Sequence, residues 1–134
     1  MKTLAYTVST AKSFEEAIAA VVENTAAHGF RVLHVHDMAA ALAERGFTRE
    51  PLKIVEICNA KYANDVLKKD VTAAVMLPCP VVVCQQDGCT SISTMLPSAI
   101  AGFFPGNSLE FIAEQVELAV LAIVNESAAS PVHA

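Results

Sequence analysis

The sequence predicts an α+β fold: a single two-layer domain in which one mixed sheet, with a hairpin, packs against two long helices. Three observations predict it. Short runs such as Leu4, Tyr6 and Val8 alternate with the two-residue period of a half-buried strand. Segments of helical period separate them, as in Ala17, Ile18, Val21 and Val22. Asp87-Gly88 lies between two extended runs and is a strong hairpin turn. Strands and helices interleaved in this way form layers.

Each element has its own local reason. Leu4 to Val8 is the first strand. Ser13 with Glu16 makes a capping box and opens a helix to about Ala27, which Gly29 ends. Phe30 to His36 is the second strand, and Asp37 caps a short helix through Ala43, closed by Gly46. Leu52 to Cys58 is the third strand. Asn59 then caps a helix whose apolar positions are Ala63, Val66 and Leu67.

Ala73 to Leu77 and Val81 to Gln85 read as extended, broken by the Pro78-Cys79-Pro80 step. The hairpin leads into Cys89 to Thr94. Asn107 with Glu110 opens the final helix, Ser108 to about Asn125, which is apolar almost all round from Leu118 to Val124. Glu126 to Ala134 reads as a frayed tail. Residues 1–134 form one domain on this reading.

Composition narrows the function. The 134 residues are 54 % hydrophobic and only 17 % charged, against ~25 % in an ordinary soluble domain. That much apolar surface predicts a second interface, and on the second strand both faces carry apolar residues. The expected partner is another copy of the chain, meeting it through the uncovered sheet face or the last helix. A net charge of −5 and no basic cluster argue against nucleic acid and against anionic membranes.

The N-terminus lacks the apolar core of a secretory signal, and no uncharged stretch has the length of a spanning helix. The expected setting is the cytoplasm, where Cys58, Cys79, Cys84 and Cys89 stay reduced.

Cys58 stands where a strand hands over to a helix, and two readings fit it. Unpaired N–H groups at a helix N-terminus lower a thiol pKa, which makes a nucleophile or soft ligand. Alternatively, cysteine is a small apolar residue that packs well. Cys79, held extended between two prolines, suits a ligand site or a plain strand entry. Cys84 and Cys89 become diagonal neighbours across the hairpin, without the close geometry of a disulfide.

No Cys-x-x-Cys pair supports zinc, and His34 and His36, though on one strand face, read as surface or interface residues. No metal is expected, and no cofactor can be named. The five glycines form no phosphate loop, and a Gly-x-Ser-x-Gly elbow is missing.

Three segments, "GFRVLHVHDMAAALAERGF", "PLKIVEICNAKYANDVLKKD" and "MLPCPVVVCQQDGCTSISTMLP", together resemble the domain-of-unknown-function 302 (DUF302) family. The resemblance runs from about Thr3 to about Val124, and Cys58-Asn59 and Leu77-Pro78-Cys79 are its most specific parts. It implies a compact α/β domain that tends to dimerise, and no reaction. The chain departs from the family pattern at Ala60, where proline is usual, at Cys84, where an aromatic residue is common, and at Cys89. Cys58 and Cys79 remain the family-like thiols.

Two functions follow as expectations. One is a homodimeric module that binds a small molecule or soft ligand at Cys58, Asn59 and Cys79, with no catalytic residue. The other is a thiol-dependent redox enzyme or sulfur carrier using Cys58. No His or Lys stands at local spacing to serve as its base, which favours the first.

Overall fold

Alternating burial along four segments, and along a fifth in which a register shift between Val32 and His34 changes the inward parity, builds the sheet. A computed structural model of the chain describes residues 3–104, 106 and 109–129. The elements are β1 (Ala5–Thr10), α1 (Phe14–Ala27), β2 (Arg31–Asp37), α2 (Met38–Ala43), β3 (Leu52–Cys58) and α3 (Ala60–Lys69). A 3-10 helix (Val71–Met76), β4 (Cys79–Gln86), β5 (Cys89–Met95), α4 (Pro97–Ala101) and α5 (Glu110–Ala128) follow. The strands lie in the order β1-β5-β4-β3-β2.

The α+β layer class is the one the sequence predicts. Within it, every strand pair is antiparallel, so the sheet is not mixed. The reason lies in the connections. β2 to β5 form a meander, and α1 carries the chain from the β1 edge across to the β2 edge, so β1 and β2 never pair.

One parity makes the core. Val35, Val55, Val81, Thr94 and Tyr6 line up across the strands in register, as do Val32, Ile57 and Cys79. Val55, Ile57, Val81, Val83 and Ile92 are fully buried beneath α1 and α5. Lys53 shares this parity at the margin, and its Nζ lies 5.9 Å from the centre of the Phe14 ring. That placement keeps its charge at the edge while its stem covers apolar surface.

The other parity has no helix of comparable extent over it. Ile54 stands opposite Val82, which faces Ser93, which faces Thr7; Leu52 stands opposite Cys84. Ile54, Val82, Pro80 and Cys84 are half-buried rather than buried.

Caps and turns match the local chemistry. Ser13 and Glu16 form the reciprocal capping box of α1. Gly29, with φ of +77°, closes that helix as Phe30 N–H reaches the Thr25 carbonyl at 3.0 Å. Asp37 caps α2 through Ala40 N–H. Asp87 and Gly88 both have positive φ, as a two-residue hairpin requires, and Gln86 pairs with Cys89.

Two expectations need correction, and one segment adds a helix. Residues expected to be extended before Pro78 form the 3-10 helix, because Asp70 accepts from the Thr72 N–H at 3.0 Å and starts a turn. The segment "LPSAIAG" contains the short helix α4, with Pro97 at its start, where a missing N–H costs nothing.

The last helix runs on past Glu126. Thr10 and Lys12 donate to the Ala128 and Ser127 carbonyls at 2.8 Å each, Asn24 reaches the Ser127 hydroxyl, and Ser127 is buried. These partners satisfy the final carbonyls that a frayed end would leave to water. Asn107 and Ser108, expected at its start, lie outside the described residues, as do residues 130–134.

Candidate functional site

Cys58 is the last residue of β3, Asn59 is the N-cap of α3, and Cys79 is the first residue of β4. Ile57 stands directly opposite Cys79 in the ladder, so Cys58 and Cys79 are diagonal neighbours. Strict alternation would turn the two thiols to opposite faces. Cys58 is where the strand ends and the chain swings into α3, and both residues line one small cavity.

That cavity has a volume of about 20 Å³ and is lined also by Tyr62, Ala63 and Val66 of α3, with Val116 of α5. A second, of about 30 Å³, lies beside it under α4 and α5, and Met76, Met95 and Leu109 are among its walls. Cys79, Leu77, Val66 and Val116 belong to both. Each holds roughly one or two water-sized bodies, and apolar walls of this kind leave such spaces dry. The Leu77–Pro78 peptide leading into Cys79 is cis.

Asn59 does the structural task assigned to it. Its Oδ1 accepts from Tyr62 N–H at 3.1 Å, and its Nδ2 donates to the Gly29 carbonyl at 3.1 Å. The cap is therefore also a clasp between the start of α3 and the end of α1. Phe30 and Tyr62, with ring centres 6.3 Å apart, pack beside that clasp.

The thiol electrostatics run against the low pKa expected for Cys58. Burial pushes the Cys58 thiol up from its ordinary value. Burial, with Cys58 close by, pushes Cys79 up to about 11. The physical reason is that Asn59 already occupies the donor at the third position of α3, and removal from water penalises a thiolate more than the remaining dipole favours it. All four cysteines are free thiols, and Cys89 is exposed.

The remaining expected residues fall elsewhere. His34 and His36 lie edge to face, 4.4 Å between ring centres, on the uncovered sheet parity, where His36 pairs with Glu56. Cys84 shares that parity. Among the described residues no three His, Cys, Asp or Glu side chains are placed to hold a metal.

Larger clefts exist, of about 440 and 610 Å³. The one of about 610 Å³ near the hairpin is lined by Lys12, Ser13 and Glu16, all bound to the protein itself. No helix among the described residues is long and apolar enough to cross a membrane.

Sequence reasoning did not find Tyr62, Met76 or Met95. Met76 and Met95 could be linked to Cys79 only through the packing of three separate segments, which no local spacing signals.

A family model described as a domain of unknown function, DUF302, matches residues 6–127. The chain belongs to the DUF302 family. The match spans every strand and helix of the fold, from within β1 to the last turn of α5, and includes Cys58, Asn59 and Cys79. The crystal structure of an uncharacterized conserved DUF302 protein from Bacillus stearothermophilus is similar, with 29 % sequence identity and a TM-score of 0.89. The alignment covers 94 % of this chain and 99 % of that one. No curated protein matches. The DUF302 fold thus accounts for the α+β layers.

Proposed function

We propose that this DUF302 chain is a small homodimeric binding module whose site is the apolar cavity at Cys58, Asn59 and Cys79. The observation that carries the reading is that two nearly wholly apolar cavities meet at Cys79, with a second thiol on the wall of one. Neutral thiols on an apolar wall suit a small, soft or apolar ligand. At the present volumes an ordinary organic ligand, which needs roughly 300 Å³ or more, requires α3 to move outward.

The alternative, a redox enzyme or sulfur carrier using Cys58, draws support from the nearness of the two thiols. It needs an exposed thiolate of low pKa, and burial acts in the opposite sense on both. The binding reading is therefore the better supported.

The homodimer rests on the uncovered sheet parity. Val120, Ile123 and Val124 of the last helix are buried in the chain's own core and are not free for a partner, which leaves Leu118 as the exposed large apolar residue there. The row of Ile54 and Val82 flanked by Pro80 and Cys84 is half-buried and apolar, and a second copy would complete its burial. Four free thiols suit a reducing, cytoplasmic setting.

Native mass spectrometry of the freshly purified chain tests subunit number and ligand together. The expected spectrum is a dimer with a retained mass that the Cys58→Ser variant loses. A bare monomer in the same spectrum sinks both parts.

A further inference from the structure

We propose that the paired cavities are a site for a soft, low-coordinate monovalent cation, Cu(I), held by the sulfurs of Cys58 and Cys79 with the thioethers of Met76 and Met95 beside them. This rests on the reading that the cavity at Cys58 and Cys79 binds a ligand, and names its class. The chain has four Cys and four Met, and two of each line these two neighbouring spaces, with Cys79 on the wall of both.

The walls around the sulfurs are the side chains of Ile57, Val66, Leu77, Leu109, Ile112 and Val116, and no carboxylate or imidazole is among the lining residues. Hard cations such as Mg²⁺ and Ca²⁺ take about six or more oxygen ligands, whereas the lining side chains offer only Asn59 Oδ1, already engaged by the Tyr62 N–H, and the Tyr62 hydroxyl. Zinc takes four N, S or O ligands, and only two thiols are present. Thiolate and thioether sulfur select Cu(I). The size fits as well: about 20 and 30 Å³ admit an ion and not an organic molecule.

Binding is a ligand exchange without redox change. Two S–H bonds break, two Cu–S bonds form, both protons leave to solvent, and copper stays Cu(I). A coordinated thiol is deprotonated outright, so the cation supplies what the apolar surroundings withhold from the free thiols. The resulting two-thiolate complex carries one net negative charge, and the N-terminal end of α3 beside Cys58 favours it.

The test is an anaerobic titration of the reduced full-length chain with Cu(I) supplied from its complex with a chromogenic chelator, followed by copper X-ray absorption. The expected result is about one Cu(I) per chain in a sulfur-only shell. Cys58→Ser should weaken capture by about 100-fold or more, and Met76→Leu by roughly tenfold. The double variant Cys84→Ser, Cys89→Ser should bind as the parent does. Cys79→Ala, which puts no hydroxyl into the buried position, should weaken capture as much as Cys58→Ser does.

No transfer of Cu(I) from the chelator overturns the proposal. So does capture that survives Cys58→Ser, or that is lost with Cys84 and Cys89. If Cu(I) is refused while native mass spectrometry shows an organic mass lost in Cys58→Ser, the cation is wrong and the ligand site stands. If neither is retained, both readings fall.

Discussion

Asn59 and Gly29, 30 residues apart, are joined by a 3.1 Å hydrogen bond from Nδ2 to the backbone carbonyl, while the same side chain caps α3 through Oδ1. One amide thus closes two helix ends, and the wall of the cavity depends on it. Glycine is needed at position 29 for its φ of +77°; space is not the reason, since an added Cβ would lie 3.9 Å from Asn59 Nδ2.

Asn59→Ala removes the cap and the clasp together. The expected loss is about 1–2 kcal/mol of unfolding free energy in urea, the range for a lost N-cap. Asn59→Asp keeps the Tyr62 N–H bond but sets a carboxylate against the Gly29 carbonyl. It should fall between the parent and Asn59→Ala; an Asp variant less stable than Ala would mean that the Gly29 contact outweighs the cap.

The thiols should alkylate in the order of their exposure. Iodoacetamide reacts with thiolate, and burial lowers the thiolate fraction of Cys58 and more so of Cys79 at neutral pH. Peptide mass spectrometry should show Cys89 modified first and Cys79 last, with Cys58 speeding up as pH rises above its ordinary value of 9.0. Cys58 outpacing Cys89 at pH 7 would restore the low-pKa thiol.

Cys79 should also make stability pH-dependent. Its pKa rises from 9.0 unfolded-like to about 11 in the fold. Between those values the unfolded chain has released the proton and the folded chain has not. Stability therefore falls as pH rises from about 9 to about 11, by on the order of 2 kcal/mol for the two-unit shift. Lysines and tyrosines titrate in the same window, so the quantity to compare is the slope in the parent against that in Cys79→Ala. Equal slopes would leave Cys79 without a part in it.

Ile54→Glu places a carboxylate in the middle of the uncovered sheet parity, opposite Val82. Sedimentation should show a dimer becoming a monomer, while circular dichroism stays as in the parent because Ile54 lies outside the buried core. A variant that stays dimeric would move the interface elsewhere, with exposed Phe111 and Leu118 on α5 the next surface to substitute.

Much of this protein was determined by short-range sequence. The Ser13–Glu16 box, the Asp37 and Asn59 caps, the Gly29 stop and the Asp87-Gly88 turn act within a few residues, so residue type and spacing suffice to identify them. Alternation in Leu52–Cys58 likewise separates two faces without a fold in view. Tertiary structure decided what involves distant partners. The antiparallel sense of the sheet follows from α1 crossing between its edges, and α5 continues past Glu126 because Thr10, Lys12 and Asn24 meet its last turn.

The site divides along the same line. The sequence placed Cys58 and Asn59 at the strand-to-helix step; only packing brought Cys79, Met76 and Met95 around the same small spaces. Packing also reversed the sign at Cys58. A helix N-terminus is visible in a sequence, but the loss of water around a thiol is a property of everything folded over it.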